Sequence, residues 1–441
     1  MPQTSIGRVE CGLRHRIHCS RSPFRKVLHA TLLRLYYLQN KTIILNLQDM
    51  YRRLVATRLK HLAQQFPAVL ILGARQVGKT TLARQTFADY AYLDLEDPGT
   101  HGLFAEDPRF QLDARTNADG LILDEAQRLP VLFDALRGAI DADRQRMGRF
   151  IILGSSQPTL VRQVAESLAG RVGILELSAL TVQETSTGEH ALADYRHNWL
   201  AGGFPDALGA AQNAGSFRDW WEAYLRTYVE RDLPVMGVGA DPIQMRKLLT
   251  MLAHAQGGLS NLSQFAAALG ISQPTVARYV DILEQSFLVR RLPPYLRNVG
   301  KRLVKAPKLY LRDTGLLHHL LNIDSQEVLD SHPVRGASWE TFVMEDMLRR
   351  EAVAYPHSVP HFWRTAAGAE ADLLLERQGA LHAIEIKTSR ASSPYLARGL
   401  RAIMEDTTAA SATIIDQGPG IEPLSPGVTR RGFAGSTTWL P

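Results

Sequence analysis

Past residue 49 this chain contains no cysteine: its two cysteines, Cys11 and Cys19, both lie near the start. Disulfides, cysteine-ligated zinc and a cysteine nucleophile are therefore excluded from residues 50–441. No apolar run approaches the ~20 residues needed to cross a bilayer, so no membrane partner is expected and the compartment is read as cytoplasmic. Net positive charge is also missing from the body. In residues 1–49, Arg8, Arg14, Arg16, Arg21, Arg25, Lys26, Arg34 and Lys41 face only Glu10 and Asp49, which accounts for the whole formal charge of +6. Any nucleic-acid surface must then be local, not a property of the whole body. No internal repeat, low-complexity tract or Asn-Lys-x-Asp guanine signature occurs.

The first 49 residues are Arg-rich and acid-poor, as targeting peptides are, but they have no clean apolar core and no small-residue cleavage site. Met50 opens Met50-Tyr51-Arg52-Arg53-Leu54, which reads as the start of a folded domain. Residues 1–49 are expected to be a disordered basic extension upstream of that start, with at most a short helix near Phe24–Leu38.

What the chain does have is Gly73-Ala74-Arg75-Gln76-Val77-Gly78-Lys79-Thr80, placed between the apolar run Ala68–Leu72 and the helical Thr81-Leu82-Ala83-Arg84-Gln85. This is G-x-x-x-x-G-K-[ST] in the strand-to-helix context that the motif requires. Glycines at 73 and 78 let the backbone approach phosphate oxygens, and the helix start presents unpaired N–H groups to an anion. Residues Gly73 through Thr80, together with Thr81, are the expected nucleotide cradle. Lys79 would reach the β- and γ-phosphates, and Thr80 would ligate Mg²⁺.

Further apolar segments, Tyr90–Leu95, Gly120–Glu125, Arg149–Gly154 and Ile174–Leu177, alternate with helical stretches. That alternation predicts a parallel sheet covered on both faces, an α/β P-loop architecture. Asp124 and Glu125 end a strand, as the second phosphate-site motif does: Asp124 would hold Mg²⁺, and Glu125 would deprotonate the attacking water. Ser155 or Ser156 could act as a polar sensor of the γ-phosphate. Arg171 could stabilise transition-state charge, in cis or on a neighbouring subunit, or be an ordinary surface arginine.

From about residue 191 the pattern turns helical. Trp220, Trp221, Tyr224, Leu225 and Tyr228 fall at helical spacing and read as core, not as a base-stacking platform. Leu262–Leu269, Gly270-Ile271 and Ser272–Glu284 have helix-turn-helix form, followed by a strand at Phe287–Leu292 and a basic stretch, Arg297, Lys301, Arg302, Lys305 and Lys308. This suggests a winged helix, which serves either DNA contact through Gln273, Thr275, Arg278 and the wing or protein packing.

Gly73–Thr80, Leu93-Asp94-Leu95-Glu96-Asp97-Pro98, Leu121–Gln127, Gly154-Ser155-Ser156 and Gly170-Arg171 together resemble the prokaryotic AAA-superfamily ATPases. More narrowly, they resemble those with a C-terminal domain of uncharacterised function. The likeness continues through Arg231-Asp232-Leu233, Asp313-Thr314-Gly315-Leu316, Gly336–Glu340, Phe362-Trp363-Arg364 and Glu385-Ile386-Lys387, so it spans roughly 50–425. It implies ATP as ligand, Mg²⁺ as cofactor, ATP hydrolysis, and an oligomer as one arrangement. The expected domains are 50–190 (ATPase), 191–308 (helical and winged-helix) and 309–425 (α/β), with 426–441 as a tail; the stretch after Gln417, rich in Gly, Pro, Ser and Thr, is either loop or a final edge hairpin.

Glu370–Glu376 and Leu381–Lys387 flank Arg377-Gln378-Gly379-Ala380 and read as a β-hairpin. A two-residue loop at Gln378-Gly379, or a four-residue loop over 377–380, sets Asp372 opposite Glu385 and Glu370 opposite Lys387, all on one face. Opposed carboxylates about 5 Å apart destabilise a sheet unless a cation sits between them, and Mg²⁺ is the natural candidate. The D-x(12)-E-x-K spacing resembles the PD-(D/E)xK nuclease core. That likeness implies Asp372 and Glu385 as metal ligands, Lys387 as the group activating water, and Glu340 as an additional acid, although Ala371 stands where the family has proline. The alternative is a Glu370–Lys387 ion pair on an exposed sheet face. The chain is thus read as a nucleotide-dependent switch coupled to a nuclease-like domain that engages nucleic acid. The competing readings are a signalling scaffold whose C-terminal domain binds a protein partner and cuts nothing, and a motor translocating on DNA, which would need nucleic-acid-stimulated ATPase and a ring.

Overall fold

Strand β1 (Ala68–Leu72) is buried at all five positions, so neither of its faces can meet water. In the computed structural model its neighbours satisfy that demand. β2 (Ala91–Asp94), β3 (Leu121–Asp124), β4 (Phe150–Leu153) and β5 (Val172–Glu176) complete a parallel sheet of order β2-β3-β4-β1-β5. Period-two alternation splits β1 between two cores: Ala68, Leu70 and Leu72 pack on one face with Phe104, Phe133, Leu136 and Ile140. Val69 and Ile71 pack on the other, in a core that runs on through the rest of the chain to Trp221, Trp339 and Leu373.

The helices around the sheet are α1 (Ala56–Gln65), α2 (Lys79–Thr86), α3 (Pro98–Glu106), α4 (Pro108–Ala114), α5 (Val131–Ala142), α6 (Pro158–Ser167) and α7 (Val182–Thr185). The structure describes residues 51–115, 119–154, 158–186, 195–211, 216–229, 233, 239–296, 303–365, 370–390 and 394–435. The basic extension 1–49, Ser155, Ser156, Arg231-Asp232, Arg297, Lys301 and Arg302 lie outside these residues. Among the described residues no helix is long and apolar enough to cross a membrane.

The middle of the chain holds α8 (Arg196–Ala201), α9 (Pro205–Ala210), α10 (Ser216–Thr227), α11 (Pro242–His254), α12 (Leu262–Leu269) and α13 (Gln273–Gln285). The aromatic stripe on α10 is core, with Trp221, Tyr224 and Leu225 all buried. α12 stops at Gly270, whose left-handed φ of 68° tolerates no Cβ cheaply, and α13 starts at Ser272, whose hydroxyl accepts from Thr275 N. Three short strands follow the order β6-β8-β7: β6 (Gly258–Leu259), β7 (Val289–Leu292) and β8 (Lys308–Leu311). β8 therefore straddles the expected boundary at 308.

Helices α14 (Thr314–Leu320), α15 (Gln326–Ser331) and α16 (Arg335–Ala354) lead into a six-stranded sheet. β9 (Val359–Arg364), β10 (Glu370–Arg377) and β11 (Ala380–Ile386) form an antiparallel meander. α17 (Pro394–Thr407) then crosses to β12 (Ser411–Asp416), which lies parallel to β11, and β13 (Ile421–Ser425) and β14 (Val428–Gly432) close the far side. The β10–β11 turn has Gln378 and Gly379 both at positive φ, 50° and 81°, as a two-residue hairpin turn requires. The tail expected from residue 426 starts inside this sheet instead. β14 lies between β13 and β12, and Phe433 is fully buried against Tyr195, Trp339 and Phe342. Of the two readings of the stretch after Gln417, the structure forms the edge hairpin, β13–β14; composition could not choose, because glycine, proline and serine are common in hairpin turns and in loops alike.

Candidate nucleotide site and acid cluster

β1 delivers the chain into the 73–78 loop, which turns sharply into α2. A Cβ on Gly73 would meet the Leu177 carbonyl oxygen at 2.3 Å, and Gly78 has φ 97°. Both positions thus need glycine for steric reasons. The first-turn N–H groups of α2 have no acceptor within the helix. The Lys79 ammonium folds back over the loop and donates to Gly73 O at 3.0 Å and Ala74 O at 2.9 Å. Burial lowers its pKa to about 8; Glu125 and Asp124 pull the other way.

Parallel pairing brings the end of β3 alongside. Thr80 Oγ1 donates to Asp124 Oδ2 at 2.7 Å, and Tyr92 OH donates to the same oxygen at 3.0 Å. Glu125 sits at a left-handed φ of 52°, which turns it out of the strand. Burial raises its pKa, Lys79 opposes that, and Gln127 Nε2 donates to its Oε2. On the outer side of the loop Arg53 Nη1 donates to Val77 O at 3.1 Å and Nη2 to Ser178 O at 2.6 Å, while its Nε contacts Glu184 at 3.2 Å. A cleft beside Gly78 is lined by Tyr51, Thr81, Gln85 and Pro205. A larger cavity lies between β5 and α16, bordered by Arg53 and Ser178 but by no residue of the phosphate loop itself, and its Arg290 and Arg312 are already paired with Glu345.

The structure thus gathers Gly73–Thr81, Asp124 and Glu125. Arg171 lies elsewhere. Its carbonyl accepts from Ala68 N, at the start of β1, and its guanidinium grips Asp141 through two bonds of 2.8 and 2.9 Å. A five-residue strand, about 15 Å long, separates it from the phosphate loop, so a role in cis is out of reach. Arg53, Tyr92 and Gln127 escaped the sequence reading. Gln127, two residues past Glu125 in the strand-end motif, is the one with a legible signal.

The β5 end is tied to the C-terminal half. Arg312 Nη2 donates to Glu176 at 2.8 Å and its Nε to Glu345 at 3.4 Å; Arg349 Nη1 donates to Leu180 O, and Val182 N donates to Asp346 Oδ1 at 2.7 Å. Burial alone would raise the Glu345 pKa, but Arg290 and Arg312 hold it at about 2.

In the C-terminal sheet Leu373 pairs with Ile384 and Arg377 with Ala380, the register expected from the spacing. Asp372 and Glu385 are the next residues along. Asp372 Oδ2 accepts from Ile386 N at 2.8 Å, and Lys387 Nζ lies 2.5 Å from Glu385. Glu370 does not pair with Lys387. Its partners are Lys308, at 2.6 Å, and Arg364, at 3.4 Å. Glu340 joins the group, accepting from Tyr310 OH at 2.6 Å, with Lys308 3.5 Å away. Burial, and then the charge of Asp372, pushes Glu340 up to about 7 and Glu385 up to about 8. Lys308, read from the sequence as part of a basic wing, is buried here; Lys305 of that stretch is exposed. Lys308 and Tyr310 went unrecognised as members of this cluster because they come from β8, a different sheet. Among the described residues no three His, Cys, Asp or Glu side chains are placed to hold a metal ion.

Comparison with known proteins finds domain families and relatives that span most of the chain. An AAA domain model matches residues 65–186, and two domains of unknown function, DUF8612 and DUF4143, match 192–327 and 335–429. The uncharacterized proteins Rv2008c of Mycobacterium tuberculosis and Mb2031c of Mycobacterium bovis are each 41% identical over 377 residues, 85% of this chain and 82% of theirs. Among solved structures, the Walker-type ATPase of Pyrococcus abyssi aligns over 62% of this chain and 96% of its own, with 14% identity and a TM-score of 0.42. The chain belongs to the family of these mycobacterial proteins, and it joins a P-loop AAA domain to a C-terminal DUF4143 domain.

Proposed function

We propose that this chain is a nucleotide-dependent switch that binds ATP with Mg²⁺, hydrolyses it, and passes the change at the phosphate loop to its C-terminal half. The observation that carries this reading is the convergence of Lys79, Thr80, Asp124 and Glu125 at the open start of α2. The N–H groups of residues 73–81 would cradle the phosphates. Lys79 would exchange two backbone carbonyls for phosphate oxygens. Thr80 and Asp124 are hard oxygen donors 2.7 Å apart, a set that fits Mg²⁺. When bound, that ion would neutralise charge on the β- and γ-oxygens. Glu125 would accept the proton of the attacking water, with Gln127 holding its carboxylate until then. Ser155 is proposed as the polar sensor, and Arg171 as a finger supplied in trans, which requires an oligomer. The base would lie in the cleft of Tyr51, Thr81, Gln85 and Pro205.

Relay to the rest of the chain is supported by the Arg312 junction. Leu177 packs on Gly73, and its neighbour Glu176 is held by Arg312, which also binds Glu345 of α16. The segment from α12 to β8 is read as a winged helix. It would engage nucleic acid through Gln273 and Arg278, both exposed on α13. Glu125→Gln tests the catalytic part. The variant should bind ATP as tightly as wild type while turnover falls at least about a hundredfold; unchanged turnover would remove Glu125 from the mechanism.

Two further readings concern the C-terminal domain. In the first it is a Mg²⁺-dependent nuclease using Glu340, Glu370, Asp372, Glu385 and Lys387, and the β10–β11 register favours that. In the second it is a partner-binding scaffold without cleavage, and the burial of Lys308 in the acid cluster favours that.

A further inference from the structure

Four carboxylates, Glu340, Glu370, Asp372 and Glu385, approach one another where α16, β10 and β11 meet. Lys308 enters this group from outside the C-terminal sheet. β8 is fixed by ladders to β6 and β7, and bridges Pro294–Phe362 and Leu303–Thr365 tie the chain before it to β9 and to the residue that follows β9. The Lys308 backbone is therefore held in place, and its side chain points inward, only 4% of the residue being exposed. The ammonium lies 2.6 Å from Glu370 and 3.5 Å from Glu340, with its cation 5.5 Å from the centre of the Phe362 ring. The acids are engaged with donors of this chain: Glu340 with Tyr310 and Lys308, Glu370 with Lys308 and Arg364, Asp372 with the Ile386 amide, and Glu385 with Lys387.

Mg²⁺ demands near-octahedral oxygen ligation at about 2.1 Å. A buried ammonium hydrogen-bonded to Glu340 and Glu370 already neutralises those two acids, while Lys387 holds Glu385 and the Ile386 amide holds Asp372, and a divalent ion added beside that ammonium would be repelled strongly in a poorly solvated site. The residues present do not fit the metal that the strand spacing calls for.

We infer that Lys308 is the resident cation of this cluster, which makes it an ionic junction between β8 and the C-terminal sheet, closed to divalent metal and without nuclease activity. Glu340 and Glu370 then serve to anchor β8, and Tyr310 keeps Glu340 aimed at the ammonium. With Lys308 in place Glu340, Glu370 and Asp372 are not arranged to hold a metal ion; removing its charge should free Glu340 and Glu370 to turn toward Asp372 and close on a divalent cation.

The test uses full-length, nucleotide-free protein and Mn²⁺ alone as the probe, read by calorimetry and by the loss of the free-ion paramagnetic resonance signal. Wild type is expected to show no Mn²⁺ binding that Asp372→Asn removes, and no Mg²⁺- or Mn²⁺-dependent cleavage of plasmid DNA. Lys308→Met is expected to gain one Mn²⁺ site, at least tenfold tighter than any in wild type, which a second change, Asp372→Asn, abolishes. Asp372-dependent Mn²⁺ binding or cleavage in wild type would overturn the inference, and this arm decides the matter even if Lys308→Met does not fold. A folded Lys308→Met protein that binds no Mn²⁺ would also overturn it.

Discussion

Raising the pH should weaken ATP binding, and Lys79 sets the size of the effect. Its ammonium is buried over its own loop, and burial outweighs the pull of Glu125 and Asp124, leaving a pKa of about 8. Phosphate oxygens stabilise the charged form, so in the complex the pKa should return to at least the ordinary ~10.4 of lysine. ATP therefore selects the charged form, and binding takes up a proton wherever the free protein has lost one. With a free-protein pKa near 8, about nine-tenths of the molecules carry the charge at pH 7 and about a tenth at pH 9. The dissociation constant should then rise about tenfold between those values, some ~1.4 kcal/mol, and stay level below pH 7. Calorimetric titration in two buffers of different ionisation enthalpy measures both the affinity and the proton taken up. Lys79→Arg, whose charge persists through this range, should bind without the slope. Constant wild-type affinity from pH 7 to 9, or the same slope in Lys79→Arg, would show that the Lys79 charge does not govern binding.

Arg171→Ala should lower turnover about a thousandfold, the lower end for an arginine finger. Mixing it with Glu125→Gln subunits should restore part of the rate, because each supplies what the other lacks across a shared interface; full turnover by Arg171→Ala alone would eliminate the trans role. Phe433→Ala should cost about 3–5 kcal/mol in chemical denaturation, because its ring is fully buried among Tyr195, Trp339 and Phe342. A loss below about 1 kcal/mol would mean that residues 428–433 contribute little to the core.

Where burial and chain direction follow from local pattern, the sequence was enough. An apolar run such as Leu121–Leu123 can only be an inner strand of a covered sheet, and the acids that end it must then lie beside a loop at the end of β1. Gln378-Gly379 likewise determines a hairpin register, since a two-residue turn needs two positive φ values. What failed to read were side chains whose partners come from distant segments. Lys308 looks basic in its own stretch, yet its acids arrive 32 and 62 residues later. Arg171 precedes a strand, as expected, but only the parallel pairing of β5 with β1 shows that it lies at the wrong end of the sheet to reach a phosphate on its own chain. Arg53 sits in a short basic run, and nothing local says that it will brace the phosphate loop at Val77.

The loop over Lys79 is proposed to bind the phosphates of ATP and to support their hydrolysis. The most direct measurement is steady-state ATP turnover with Mg²⁺ by the full-length wild-type protein beside Lys79→Ala. Wild type should turn ATP over measurably, and the variant should be slower by at least about a hundredfold, roughly 2.7 kcal/mol of lost transition-state stabilisation. Equal rates in the two proteins would contradict it.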